Sequence, residues 1–167
     1  MRFGYLFLII GLSFPFMASA SSNQTHSKID LVIVNKSESS MSVLRDGQVI
    51  KTYAIAMGDA PIGHKLTEGD QRTPQGRYIL DYKKSDSAFY KSIHISYPND
   101  EDKLRAKALG ISPGGMIMIH GQNPRSKMSP EEAQRYNWTN GCIAVTNKEM
   151  DELWRMIDEG TPIEIWP

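Results

Sequence analysis

The sequence predicts a mainly β domain with a few short helices (α+β), and three observations carry that prediction. Short apolar runs rich in β-branched residues recur along the chain, Asp46-Gly47 stands between two of them, and only one segment shows sustained helical periodicity. With 167 residues and 40% apolar content, there is enough chain for one domain of ordinary size around a buried core.

Residues 1–20, MRFGYLFLIIGLSFPFMASA, read as a secretory signal. Arg2 precedes an apolar run from Phe3 to Phe16, and Ala18-Ser19-Ala20 forms an A-x-A cleavage site. An uncleaved anchor is the alternative, although the run is shorter than the ~20 residues that span a bilayer. Residues 21–28, SSNQTHSK, are polar and aperiodic and read as a flexible leader, so the folded domain is expected over 29–167. No later segment is apolar enough to span a membrane, so no stable span is expected after signal cleavage.

From Ile29 the pattern is β. IDLVIVNK is a first strand, and SMSVLRDGQVIKTYAIAMG places two apolar runs around Asp46-Gly47, a hairpin cue because both turn residues tolerate positive φ. The stretch GDAPIGHKLTEGDQRTPQG is punctuated by Pro61, Gly63, Gly69, Pro74 and Gly76 and reads as a loop. Further short β runs follow in RYILDY, SIHISYP and GMIMIHG, and PIEIW closes the chain. Two short helices are expected: PNDEDKLRAKALG, capped by Asn99 and stopped by Gly110, and SPEEAQRY, with Ser129 as cap and Pro130 at the first helical position. TNKEMDELWRMIDEG is the clearest helix, with a Thr146/Glu149 capping box, Met150, Leu153, Trp154 and Ile157 on one face, and Gly160 as its expected end.

Charge narrows the function. Removing residues 1–20 takes away Arg2 alone, so 19 basic and 19 acidic residues become 18 and 19, a net charge of −1. No basic run with interleaved aromatics accompanies that balance, and a nucleic-acid partner is not expected. H-E-x-x-H, paired cysteines and clustered histidines are all missing, which argues against a metal or other cofactor.

The single cysteine, Cys142, cannot form an internal disulfide, and in an exported chain an unpaired thiol points to reactivity or an intermolecular bond. Gly141 before it leaves room for a carbonyl substrate and lets consecutive amides converge on one oxygen, the way a main-chain oxyanion hole is built. The run Ile143-Ala144-Val145 reads as a short buried strand fixing the thiol. A buried structural cysteine beside a turn glycine would have the same local sequence. As base, His120 ends the strand GMIMIH and precedes Gly121, whose carbonyl could take one ring nitrogen and leave the other for a thiol. A satisfied histidine on the Met116, Met118, His120 face is its alternative. His94 alternates with Ile93 and Ile95 and is a candidate pocket residue, whereas His26 in the leader and His64 in the Pro/Gly loop read as solvent-exposed.

These residues resemble the signature of the L,D-transpeptidase family with a YkuD-type catalytic domain. That signature is His-Gly at a strand end, a variable loop, then Ser or Thr, one residue, Gly and Cys, and a later Asn. Here it reads His120-Gly121, Thr139-Asn140-Gly141-Cys142 and Asn147, while GDQRTPQGRY resembles the family's Thr-Pro-x-Gly element. The resemblance spans Ile29 to Pro167 and is similar to a Gram-negative exported branch, which implies a periplasmic location. Asn140 stands where many members have His, and Ala144 where many have Arg.

The resemblance implies a curved mixed β-sheet or sandwich, with Cys142 as nucleophile, His120 as base and acid, and Gly121, Asn140 and Gly141 as support and oxyanion groups. Trp138, Thr139 and His94 would line the substrate approach, though a packing role suits Trp138 equally. The implied substrate is a peptidoglycan stem peptide, attacked at the carbonyl of the L-centre of its third residue, usually diaminopimelate. An amine acceptor gives a cross-link, a lysine of a wall-linked lipoprotein gives an anchor, and water gives hydrolysis. The hydrolase is the second reading, and a non-catalytic wall-binding module the third.

Overall fold

The computed structural model describes Met1 and residues 28–167; the expected signal, most of the leader and His26 lie outside the described residues. Eight strands form one mixed sheet in the order β3-β2-β1-β8-β4-β5-β6-β7. The elements are β1 (Leu31–Asn35), β2 (Ser40–Arg45), β3 (Gln48–Ala54), β4 (Gly76–Ser87), β5 (Tyr90–Ile95), α1 (Asp100–Leu109), β6 (Met118–His120), α2 (Pro130–Ala133), β7 (Ile143–Ala144), α3 (Asn147–Met156) and β8 (Thr161–Trp166). Neighbours pair antiparallel except β1 with β8 and β6 with β7, which are parallel.

Alternation along the strands sets the core. Val32 and Val34 of β1, Met41 and Val43 of β2, Tyr78 and Leu80 of β4, and Ile163 and Ile165 of β8 are buried and share one cluster with Ile93, Ile119 and Ile143. Past Ala54 the chain crosses to the far end of the sheet. There Ala56 and Ala144 exchange backbone hydrogen bonds of 3.0 and 2.8 Å, and Gly58 bridges Thr139. That join curls the sheet, covers the open edge of β7, and brings the Pro/Gly loop over the turn before Cys142.

Capping boxes start all three helices among the described residues, at Asn99/Asp102, Ser129/Glu132 and Thr146/Glu149. Helix α3 lays Met150 and Leu153, both fully buried, against the core. It ends before the expected Gly160. Ile157 turns extended and is fully buried, while the Gly160 amide donates to the Leu80 carbonyl. Core burial of a β-branched side chain outweighs one more helical turn here.

Other boundaries also shift. Strand β4 continues through the polar stretch Lys83–Ser87 and returns as β5, a long hairpin whose exposed arm carries no apolar alternation for a sequence reading to detect. Strand β6 is shorter than GMIMIHG because Met116 has φ 57°, and the helix in SPEEAQRY spans only Pro130–Ala133.

Candidate active site

The turn Thr139–Cys142 is built by one hydroxyl and one glycine. The buried Thr139 Oγ1 donates to the Cys142 carbonyl at 2.7 Å and accepts the Gly141 N–H at 3.2 Å. Gly141 has φ 118°, and a Cβ there would lie 2.5 Å from the Arg72 carbonyl oxygen, so only glycine fits. Arg72 belongs to the Pro/Gly loop, where Thr73 accepts the Gly58 N–H at 3.1 Å. That loop therefore backs the thiol turn. Cys142 is half-buried and unpaired, with Sγ 3.7 Å from the Met116 carbonyl.

His120 is 3% exposed. Its Nδ1 lies 2.6 Å from the Gly121 carbonyl; a carbonyl only accepts, so the proton sits on Nδ1 and Nε2 keeps its lone pair. Phe89 stacks on the ring at 4.7 Å, and Trp138 meets it edge-on at 5.7 Å. Gly121 has no room for a side chain, because a Cβ would lie 2.5 Å from Asn147 Oδ1. The same Asn147 oxygen accepts the Gln122 N–H at 2.9 Å and holds the chain that follows the histidine.

Strand pairing relates the two groups. In the parallel β6/β7 pair Ile119 faces Ile143 and His120 faces Ala144. With both isoleucines in the core, alternation puts His120 and Ala144 on the opposite face. Cys142 immediately precedes β7, two residues before the partner of His120, and a base and nucleophile work together when imidazole and thiol meet directly or through one water.

The remaining sequence candidates have distinct places. Thr139 is taken up on both sides by the turn it staples, and the Gly141 amide is engaged by that hydroxyl. Asn140 is exposed beside them. Trp138 lies against His120, with its indole Nε1 buried and unpartnered among the described residues. His94 shares the sheet face of Met118, its partner in β5/β6, but its Nδ1 is 2.7 Å from Asp81 and its ring stacks on Tyr82 at 4.5 Å. It stands apart from the aromatic cluster around His120. The expectation of an exposed His64 is corrected: its side chain is 18% exposed and held by the Gln75 N–H, Asp102 and Arg105, because α1 packs over the Pro/Gly loop.

Two residues of the site carried no sequence signal. Phe89 is at the tip of the β4/β5 hairpin in a polar run, and Lys65 is a lone cation in a loop. Lys65 is 3% exposed, with Nζ on Asp70 at 2.9 Å and on the Thr67 carbonyl at 3.0 Å. Burial pushes the Cys142 thiol above its ordinary value, opposed by a hydrogen bond from the Met118 backbone and by the charge of Lys65. Burial likewise holds His120 below the usual histidine range, against its bond to Gly121. The resting pair is therefore neutral, thiol and imidazole. Among the described residues no group of His, Cys, Asp and Glu is arranged to hold a metal, and no helix is long and apolar enough to cross a membrane.

Two clefts flank the turn. One, of about 460 Å³, is lined by Gln122, Met128, Ala133, Tyr136, Trp138 and Asn147 among others. The second, of about 340 Å³, is lined by Lys65, Glu68, Gln71, Asn140 and Ile117 with glycines between them.

Comparison with known proteins identifies the family and the fold. Residues 29–165 match the L,D-transpeptidase catalytic domain, YkuD. YafK of Escherichia coli strain K12 is 29% identical over 112 residues, covering 66% of this chain and 38% of its own length. YqjB of Bacillus subtilis strain 168 is 28% identical over 138 residues, covering 80% of this chain and 69% of its own. Among solved structures, the helical cell shape determining protein Pgp2 from Campylobacter jejuni superposes with a TM-score of 0.64 at 26% identity, over 83% of this chain and 48% of that one. The chain thus spans well under two thirds of YafK and of Pgp2. An L,D-transpeptidase from Xylanimonas cellulosilytica, 17% identical with a TM-score of 0.54, shares the fold. On the family match over nearly all the described residues, the chain belongs to the L,D-transpeptidase catalytic-domain family of YkuD type.

Proposed function

We propose that the protein is an exported, periplasmic cysteine acyltransferase acting on peptidoglycan stem peptides. The observation that carries this reading is the pairing of His120 on β6 with Ala144 on β7, two residues past Cys142, with the imidazole tautomer set by Gly121. Family membership supports the chemistry, and Pgp2, described as determining helical cell shape, supports the cell wall as its setting.

The neutral His120 Nε2 takes the thiol proton as Sγ of Cys142 attacks the third-residue carbonyl, so the nucleophile is created at the moment of attack. The oxyanion falls to the amides of Asn140 and Cys142, since that of Gly141 is bonded to Thr139. Each well-placed donor is worth on the order of 3 kcal/mol. As the C–N bond breaks, the imidazolium returns its proton to the leaving amine of the fourth residue, and a thioester remains. An acceptor amine then loses a proton to His120, attacks the thioester and frees the thiol. Water in the same position gives hydrolysis with every protein group unchanged.

Mass analysis of products from tetrapeptide-bearing wall fragments, with and without lipoprotein-linked material, tests the reading. Release of the fourth residue with new cross-links is the expected result. Release without new bonds assigns hydrolysis, and loss of an attached lipoprotein peptide assigns amidase action. Turnover by Cys142→Ala at the native rate refutes thiol chemistry.

A further inference from the structure

We infer that the cleft of Lys65, Glu68 and Asn140 is a subsite for the ammonium-and-carboxylate end of an amino acid, the distal end of a diaminopimelate side chain on the acyl donor. The inference rests on the acyl-transfer reading above and adds the residues that would select the donor.

A buried lysine is found paired. Lys65 is 3% exposed and its ammonium makes two hydrogen bonds, to Asp70 and the Thr67 carbonyl; its third N–H has no partner among the described residues. The Asp70 carboxylate does not simply cancel that charge. It also accepts the amides of Leu66, Thr67 and Arg72 at 2.7, 3.1 and 3.1 Å; against the upward push of burial, these amides and the Lys65 ammonium hold its pKa at about 2. The cation is fixed in place as well. The Lys65 carbonyl and that of Pro113 both receive the Tyr97 hydroxyl.

Opposite charge stands on the same cleft. Glu68 is exposed, its amide donates to the Ser112 carbonyl at 2.8 Å, and its Oε2 accepts from the Ser112 hydroxyl at 3.3 Å. Gly114 lets the facing turn close on it: its φ is 71°, and a Cβ there would meet Glu68 Cβ at 3.1 Å. A buried cation and an exposed anion on one cleft match a carboxylate and an ammonium on one carbon. Asn140 and Ile117 join this cleft to the thiol turn, since Ile117 Cδ1 lies against Gly141.

A carboxylate could also come from the leaving fourth residue. Its amine must receive a proton from His120, however, and the cleft whose Trp138 meets the His120 ring shares no lining residue with that of Lys65. The donor's own third side chain is therefore assigned to Lys65.

The test compares stem tetrapeptides with diaminopimelate, diaminopimelate amidated at its distal carboxylate, or lysine at the third position, and a fourth stem with an amidated terminal D-Ala. In the native protein kcat/KM should fall about 10-fold or more for the amidated and lysine stems, as expected for a lost charged hydrogen bond. Lys65→Met should lower the diaminopimelate stem more than the others and so flatten the ratio, while loss of its charge near Cys142 lowers all stems alike. Partial unfolding scales all stems equally and cannot flatten it. Glu68→Gln, at an exposed position, should weaken the diaminopimelate stem relative to one lacking the distal ammonium. An unchanged ratio in Lys65→Met, equal use of all three stems by the native protein, or a Lys65 effect that follows the terminal amide instead overturns the inference. Calorimetric binding of the matching tripeptides to Cys142→Ala reads the subsite without turnover. Loss of the acyl-transfer reading with the binding preference intact is thereby distinguished from loss of the subsite.

Discussion

Replacing Thr139 by valine keeps its shape and removes its hydroxyl, and that hydroxyl is the staple of the nucleophile turn. The change deletes a 2.7 Å bond to the Cys142 carbonyl and a 3.2 Å bond from the buried Gly141 N–H. A buried donor left without a partner costs about 1–3 kcal/mol, and the partly buried carbonyl loses about 0.5–1.5 kcal/mol more. The combined expectation is roughly 2–4 kcal/mol, a Tm lower by about 6–12 °C for a domain of this size. Activity should fall further than folding explains, because the released Gly141 amide is free to reorient and the amides of Asn140 and Cys142 lose their fixed direction. A drop in kcat of about 10–100-fold is expected in a release assay for the fourth residue. Thr139→Ser should restore most of both. Denaturant melts and the release assay on folded protein check the pair of effects. A valine variant within about 0.5 kcal/mol of the native protein and equally active would refute the staple argument.

Several further outcomes separate the remaining features. The kcat/KM profile should be flat through neutral pH and decline on the acid side below the ordinary histidine value of 6.5, because burial holds His120 low; burial also keeps Cys142 protonated beyond 9.0. A thiolate–imidazolium pair at rest would instead give rapid iodoacetamide alkylation near pH 6, which is the contrary result. Stability has a linked trend: the unfolded chain protonates His120 near 6.5 and the folded chain only at lower pH, so stability contributed by this residue is complete above 6.5 and falls as pH drops below it. His120→Asn should remove that component from the pH dependence of urea midpoints. Phe89→Ala should leave Tm nearly unchanged, since the ring is half-buried, while lowering kcat through loss of the 4.7 Å stack on His120. Leu153→Ala, at a fully buried position on α3, should cost about 2–5 kcal/mol in denaturant melts with the folded fraction still active.

Much of the domain was legible from local rules. The Asp46-Gly47 hairpin, the caps at Asn99, Ser129 and Thr146, and the apolar stripe of Met150 and Leu153 each depend on residues within a few positions of one another. The order His120-Gly121, Thr139–Cys142 and Asn147 was visible for the same reason, since a strand end and a turn are short-range features. The end of α3 was misplaced at Gly160 because a turn glycine is a local cue, whereas burial of Ile157 is decided by the sheet beneath it.

What the chain could not reveal by itself depends on contacts far apart in sequence. That Gly141 is obligatory follows from the Arg72 carbonyl behind it, and that Gly121 is obligatory follows from Tyr90 Cβ and the Phe89 carbonyl packed against it beside Asn147. The sequence alone determined the strands and the caps, through periodicity and turn chemistry. Only the tertiary structure decided that Thr139 is a staple, that His94 belongs to Asp81 and Tyr82, and that Phe89 and Lys65 belong beside the site. The physical reason is that curling the sheet through Ala56 and Ala144 brings the Pro/Gly loop against the nucleophile turn, a closure that local pattern does not encode.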